Sequence, residues 1–386
     1  MKITFILPGY PWRPVGAYRV VYEYANRLVA RGHQVTVVHP RRVKDEQGIW
    51  AHRGIYCGIR RRAAEVRNRL FVPSLRWQDV DKRVRMLYVA EPVADSIPDS
   101  DAVFATAWDT VQYVCRYPER KGTKFHMVQS YDYWSHLDEQ THAAWRSLVN
   151  KVVISKWLCD KMVELGCTEH AYIRNAVNHS KFHVIIPISK RPKRVAMLYS
   201  MVECKGSADG LCALAIAKRE HPDLQVALFG IPKRPRSLPG WIKYFQNPAP
   251  RDLVHNIYNG SSIYLCPSIK EASPLPPAEA MACGCALVTT DCGGTAEYAT
   301  HGLTALFSPP KSPEGLAKNL SLLLENSDLR VKLAEAGRRR MQELNWENST
   351  SKLLQYIDSK ANGPSDINPA SGAAIGLARR AQSGSN

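Results

Sequence analysis

The chain has 386 residues, 45% of them hydrophobic and 23% charged, with ten cysteines scattered along its length. That length exceeds the size at which one hydrophobic core stops growing, so two domains are expected. No apolar run reaches the roughly 18–20 residues of a bilayer span, the scattered cysteines do not suggest a disulfide framework, and no Cys-x-x-Cys pair suggests zinc.

These thiols read as reduced and buried in a cytoplasmic protein. The net charge of +17 is unevenly spread: thirteen Lys and Arg lie between Arg41 and Arg85, against Asp45, Glu46, Glu65, Asp79 and Asp81. Such a field attracts nucleic acid, anionic lipid or a phosphorylated substrate.

Lys2–Leu7 reads as a first buried strand rather than a signal peptide. A Pro/Gly loop, Pro8–Gly16, follows, then a helix over Tyr18–Arg31 with apolar residues at Val21, Ala25, Leu28 and Val29. Gly32 closes it, and Gln34–His39 is a second strand. This strand–loop–helix–strand order begins a doubly wound parallel sheet. Further strands are expected at Ala102–Ala107, Lys124–Gln129 and Val152–Ile154, the last leading into a helix over Lys156–Leu165.

The basic, Pro-containing stretch 186–194 reads as a linker between an N-terminal domain over residues 1–185 and a C-terminal one over 195–345. Strands are expected there at Val195–Ser200, Leu224–Phe229, Ser262–Cys266 and Ala286–Thr290. Helices fall near Ser207–Glu220, Arg251–Asn259 and Ala278–Cys283, then at Pro313–Glu325 and Ser327–Glu343. A last helix, within 346–360, is expected to return to the N-terminal domain. The tail 361–386 lacks apolar periodicity and reads as disordered. The fold class is therefore α/β, with two Rossmann-like, doubly wound domains facing a cleft.

The stretch from Cys266 to Pro309 carries the most chemistry. Glu271 stands in a Pro-rich loop after a strand, and Glu279 is expected in the first turn of the next helix, near the positive end of its dipole. A carboxylate there suits the two hydroxyls of a ribose, and backbone N–H groups at the helix start suit a diphosphate. Two acids at this spacing also occur as a helix-start residue and a solvated loop charge.

The flanking residues turn the reading toward a ligand site. Pro267-Ser268, Glu271, Leu275-Pro276, Glu279-Ala280-Met281-Ala282-Cys283-Gly284, Gly293-Gly294-Thr295-Ala296-Glu297 and Gly302 together resemble the donor-site signature of retaining GT-B glycosyltransferases of family 4 (glycosyl transferases group 1), with seven residues between its two glutamates. Lys205-Gly206 resembles the family's Lys-Gly pair. Tyr172–Asn178 with Phe182 resembles its segment before the hinge, and Ile154–Leu158 its serine-led helix start. Pro14–Arg19 resembles its glycine loop and Gly32-His33 its helix end. The resemblance runs from Met1 to about Lys360 and is weakest between Arg41 and Pro98.

The resemblance implies a GT-B fold and a metal-independent, retaining hexosyltransferase using a nucleotide-sugar as co-substrate, with no separate cofactor. It implies Lys205 on the donor diphosphate, Glu271 on the sugar and Glu279 on the ribose, with Ser273, Leu275, Gly16 and Gly206 at the donor. Gln129, Asp132 and Asn175 are candidate contacts to sugar or acceptor. Reaction on one face of the sugar, with the departing phosphate helping to deprotonate the acceptor, asks the protein for positioning and charge stabilisation.

The sequence departs from the family pattern in three places. Ala272-Ser273-Pro274 replaces Gly-Phe-Gly between the glutamates, and Pro274 offers no N–H. Ser200 replaces an arginine five residues before the lysine. Gly16 alone represents the paired glycines of the first loop. A GT-B-fold epimerase or phosphorylase, or a catalytically idle binding protein, are the alternative readings.

Asp79-Val80-Asp81 and Asp99-Ser100-Asp101 fit the Asp-x-Asp pattern of metal-dependent transferases, but neither lies near the donor signature, and no metal is expected. Ile59, Ala63, Val66 and Leu70 form one helical stripe, with Arg60, Arg61, Arg62, Arg67 and Arg69 around it. That pattern suits a peripheral contact with an anionic inner membrane face and equally an ordinary surface helix. With no nucleic-acid module in the chain, the expected partners are the donor, a glycan or lipid-linked acceptor and that membrane surface.

Overall fold

The computed structural model describes residues 1–43, 71, 75, 77–131 and 138–361. Arg60, Arg61, Arg62, Arg67, Arg69 and Asp132, and the tail beyond Ala361, lie outside the described residues.

Two all-parallel sheets organise the chain. The first has the order β3-β2-β1-β4-β5-β6-β7, from β1 Lys2–Ile6, β2 Gln34–Pro40, β3 Arg85–Val89, β4 Ala102–Ala105, β5 Thr123–Val128, β6 Asn150–Val153 and β7 Ala171–Tyr172. The second has the order β10-β9-β8-β11-β12-β13, from β8 Arg194–Leu198, β9 Gln225–Gly230, β10 Ile242–Gln246, β11 Ile263–Cys266, β12 Ala286–Thr290 and β13 Ala305–Ser308. The central strands are apolar without alternation because helices cover both faces; Ala102–Ala105, Ile263–Cys266 and Ala286–Thr290 are buried throughout.

In each sheet the strand order reverses once, between β1 and β4 and between β8 and β11. Open parallel sheets bind ligands at such switch points, beyond the carboxyl ends of the strands. Three loops matter for that reason: the one after β1, entering helix α1 (Gly16–Ala30); the one after β8, ending at Gly206; and the one after β11, entering the helix Leu275–Ala282.

The chain crosses between domains earlier than the expected linker. Ile173 and Ala176 belong to the first core, whereas Val177 and Phe182 belong to the second. The stretch 186–194 is instead fixed to the C-terminal domain. Ile185 N–H donates to Asn259 Oδ1 at 2.7 Å, and the buried Arg191 reaches the carbonyls of Ile186, Ser261 and Cys283. The Arg191 charge is thus spent on carbonyl oxygens.

The final helix, Trp346–Ala361, lies against α1. Trp346, Leu353 and Ile357 are buried in the N-terminal core, Tyr24 meets Trp346 edge-on at 5.1 Å, and Arg31 donates to Ser351 Oγ at 3.0 Å. Among the described residues no helix is long and apolar enough to cross a membrane.

Candidate donor site at the two switch points

The turn after β8 is a short 3-10 segment, Glu203–Lys205, closed by Gly206 in the left-handed region with φ +61. Gly206 sits against the end of β11, and Ile269 N–H donates to the Cys204 carbonyl at 2.7 Å. These contacts fasten the Lys205 turn to the loop that carries Glu271.

Lys205 Nζ lies 2.6 and 2.8 Å from the two Glu271 oxygens, and Ser268 Oγ donates to Oε1 at 3.0 Å. Burial opposes the lysine's charge, but the Glu271 carboxylate more than offsets this and raises its pKa. The expected diphosphate cation and sugar carboxylate therefore meet directly.

The Glu271 backbone is fixed from both domains. Its N–H donates to the Cys292 carbonyl at 3.0 Å, and its carbonyl accepts from Trp157 Nε1 at 2.8 Å. A Cβ on Gly294 would stand 2.6 Å from Ala272 backbone atoms, so the glycine pair 293–294 permits this close approach.

Glu279 is placed differently from expectation. Its helix begins at Leu275, with Pro276 and Pro277 in the first turn, and that first turn holds no acidic residue. Proline tolerates these positions because their N–H groups lack intrahelical acceptors. Glu279 therefore lies beyond the first turn, where the helix dipole acts less strongly on it.

Its carboxylate is buried, 3% exposed. Oε1 pairs with Arg19 Nη1 across the interdomain cleft, and Oε2 accepts from the Tyr258 hydroxyl at 3.1 Å. Burial opposes the Arg19 charge and Glu279 outweighs it, so the Arg19 pKa rises. The Tyr258 hydroxyl is pushed far up, by burial and then by Glu279, and stays protonated as a donor.

The remaining sequence candidates divide. Gly16 opens α1, and its Cβ position lies 3.8 Å from Leu275 Cδ1, so the two domains touch here without crowding. The buried Leu275 side chain packs with the N-terminal core. Ser273 lies half-buried in the same turn. Gln129 directly follows β5 and donates weakly to the Thr106 carbonyl at 3.4 Å, while its buried Oε1 lacks a hydrogen-bond partner among the described residues. Asn175 is buried in the crossing segment.

Ser200 N–H donates to Ser207 Oγ at 2.9 Å, fastening the turn after β8 to the start of the next helix. The Asp-x-Asp pairs serve neighbouring cations: Asp81 holds Arg83, and Asp99 holds Lys121 and Arg120.

Sequence reasoning passed over Arg19, Trp157, Tyr258 and Glu297. Glu297 accepts from the Lys156 N–H at the start of the helix Lys156–Glu164 and from the Tyr172 hydroxyl, tying the domains together. Arg19, Trp157 and Glu297 all stand within motifs that resemble the family. What hid their roles is that each partner lies more than a hundred residues away in sequence.

Two facing parallel α/β domains with charged loops meeting at both switch points define the GT-B fold. Residues 179–340 match the family model of glycosyl transferases group 1.

It is 28% identical over 309 residues to the O-antigen biosynthesis protein RfbC of Myxococcus xanthus, covering 74% of this chain and 24% of that protein. It is 38% identical over 108 residues to the N,N'-diacetylbacillosaminyl-diphospho-undecaprenol alpha-1,3-N-acetylgalactosaminyltransferase of Campylobacter jejuni subsp. jejuni serotype O:2, covering 28% of this chain and 25% of that enzyme. The chain thus spans about a quarter of the length of these relatives. The structure of Anabaena HepE in complex with UDP and glucose superposes with a TM-score of 0.69 at 15% identity, covering 93% of this chain and 100% of that one, a likeness of fold.

Proposed function

We propose that the chain transfers a sugar from a nucleoside-diphosphate sugar to a glycan or lipid-linked acceptor, with retention of configuration and without a metal, in cell-surface polysaccharide or glycoconjugate synthesis. The observation that carries this reading is the direct contact of Lys205 with Glu271 at the β8–β11 switch point, inside the matched region. Lys205 supplies the charge that stabilises the departing diphosphate. Glu271 orients the sugar, Glu279 the ribose, and the N-terminus of α1 at Gly16 faces the phosphates with its free N–H groups.

The related proteins support the substrate classes. HepE was solved with UDP and glucose, and the Campylobacter enzyme is named for an acceptor linked to diphospho-undecaprenol. No dedicated nucleophile is required, because positioning and charge stabilisation on one face of the sugar carry the reaction.

A thermal-shift screen across nucleoside diphosphates and their sugars tests this reading, since a ligand that binds the folded state raises the melting temperature. One nucleotide and its sugar should stabilise the protein, and Glu279→Ala should weaken that response. A flat response across the panel would remove the nucleotide-sugar reading, and an undiminished response in Glu279→Ala would remove the ribose role.

A further inference from the structure

Glu279 and Glu271 are both occupied by the chain's own cations. Glu279 Oε1 is taken by Arg19, which comes from the other domain, and Oε2 by Tyr258, which comes from its own. Both oxygens of Glu271 are taken by Lys205. With Glu279 buried and both its oxygens engaged, a ribose reaches this carboxylate only if one of these partners lets go.

Among these carboxylate contacts, the one that joins the two domains is Arg19–Glu279. Tyr258 and Glu279 move together as parts of one domain, as do Lys205 and Glu271. Opposite charges held this close in a site shielded from water attract strongly, so this pair biases the chain toward the closed arrangement.

We propose that Arg19 is a positioning residue that holds Glu279 until the donor's ribose displaces it, so that donor binding must first break this interdomain pair. The proposal rests on the ribose reading of Glu279. In a two-state equilibrium, apparent affinity falls by the fraction of molecules in the competent state. Weakening the pair therefore raises nucleotide affinity, whereas an Arg19 that binds the donor, or merely supports the fold, gives lower or unchanged affinity.

The test is calorimetric titration of the full chain with UDP, GDP and ADP, using wild type, Arg19→Gln and Arg19→Lys. For whichever nucleotide binds wild type, Arg19→Gln should bind about tenfold tighter and Arg19→Lys about threefold tighter, in the order in which they weaken a buried pair. With the matching sugar donor, KM should fall in the same order while kcat stays within about twofold. Unchanged or weaker binding by these variants, alongside binding by wild type, overturns the latch and leaves the donor-site reading standing. Should Arg19→Gln fail to fold, Arg19→Lys decides by itself, and no gain in its affinity overturns the proposal. Binding of no nucleotide by wild type overturns the donor-site reading, and the latch with it.

Discussion

A Cβ built on Gly206 would stand 1.9 Å from the carbonyl oxygen of Pro267, so the turn after β8 fits the end of β11 only with glycine at that point. The left-handed backbone there adds a second penalty for any side chain. Gly206→Ala should force the two loops apart and cost roughly 2–4 kcal/mol. Urea unfolding reads this as a lower midpoint, with donor turnover lost at the same time. A variant with wild-type stability and turnover would refute the account of this turn.

Lys205 is the cation on both Glu271 oxygens. Lys205→Ala should lower turnover of the donor about 100-fold, the effect of removing one stabilising donor from a developing charge. Lys205→Arg keeps the charge and should retain part of the rate. Steady-state release of nucleoside diphosphate measures both, and equal rates for Lys205→Ala and wild type would deny the lysine its role.

His39 ends β2 in a buried aromatic cluster. Its Nδ1 lies 3.0 Å from the Gly9 carbonyl, which can only accept, so Nδ1 carries the proton and Nε2 accepts from the Tyr22 hydroxyl at 3.2 Å. Burial lowers its pKa to about 4. The unfolded chain takes up a proton near pH 6.5 while the folded chain resists until about 4, so the stability His39 contributes is complete above pH 6.5. It is lost progressively as pH falls to about 4, by about 3 kcal/mol in all. His126, pushed to about 3 by burial and then by Lys151, adds to the same acid loss. His39→Gln should flatten the dependence of melting temperature on pH between 6.5 and 4, and an unchanged slope would contradict this.

Trp346 joins the last helix to the first domain, 2% exposed, with Arg27 5.7 Å from its ring centroid. Trp346→Ala should cost about 3–5 kcal/mol, the usual effect of deleting a buried aromatic side chain. Denaturant unfolding measures it, and a loss below about 1 kcal/mol would mean that the helix is only loosely docked.

The alternation of apolar strands and amphipathic helices made the GT-B fold legible, because buried parallel strands carry unbroken apolar runs. Strands without such runs were harder to see: Ile242–Gln246 bears Lys243 and Gln246 at a sheet edge, and Arg85–Val89 follows a basic stretch. The residues of the Lys205–Glu271 contact were legible because motifs mark the switch-point loops.

The Arg19–Glu279 pair was not legible, since 260 residues separate its members and only the packing of one domain on the other joins them. The helix start at Leu275 was missed because two successive prolines read as loop. The first helical turn accepts them because its N–H groups go unused.

The most direct test of the central claim follows release of nucleoside diphosphate from a panel of nucleotide-sugars by wild type, Lys205→Ala and Glu279→Ala. The account predicts that wild type turns over one donor, slowly without an acceptor, and that both variants lose most of this rate while remaining folded. Turnover of no donor by wild type, or wild-type rates in both variants, would contradict it.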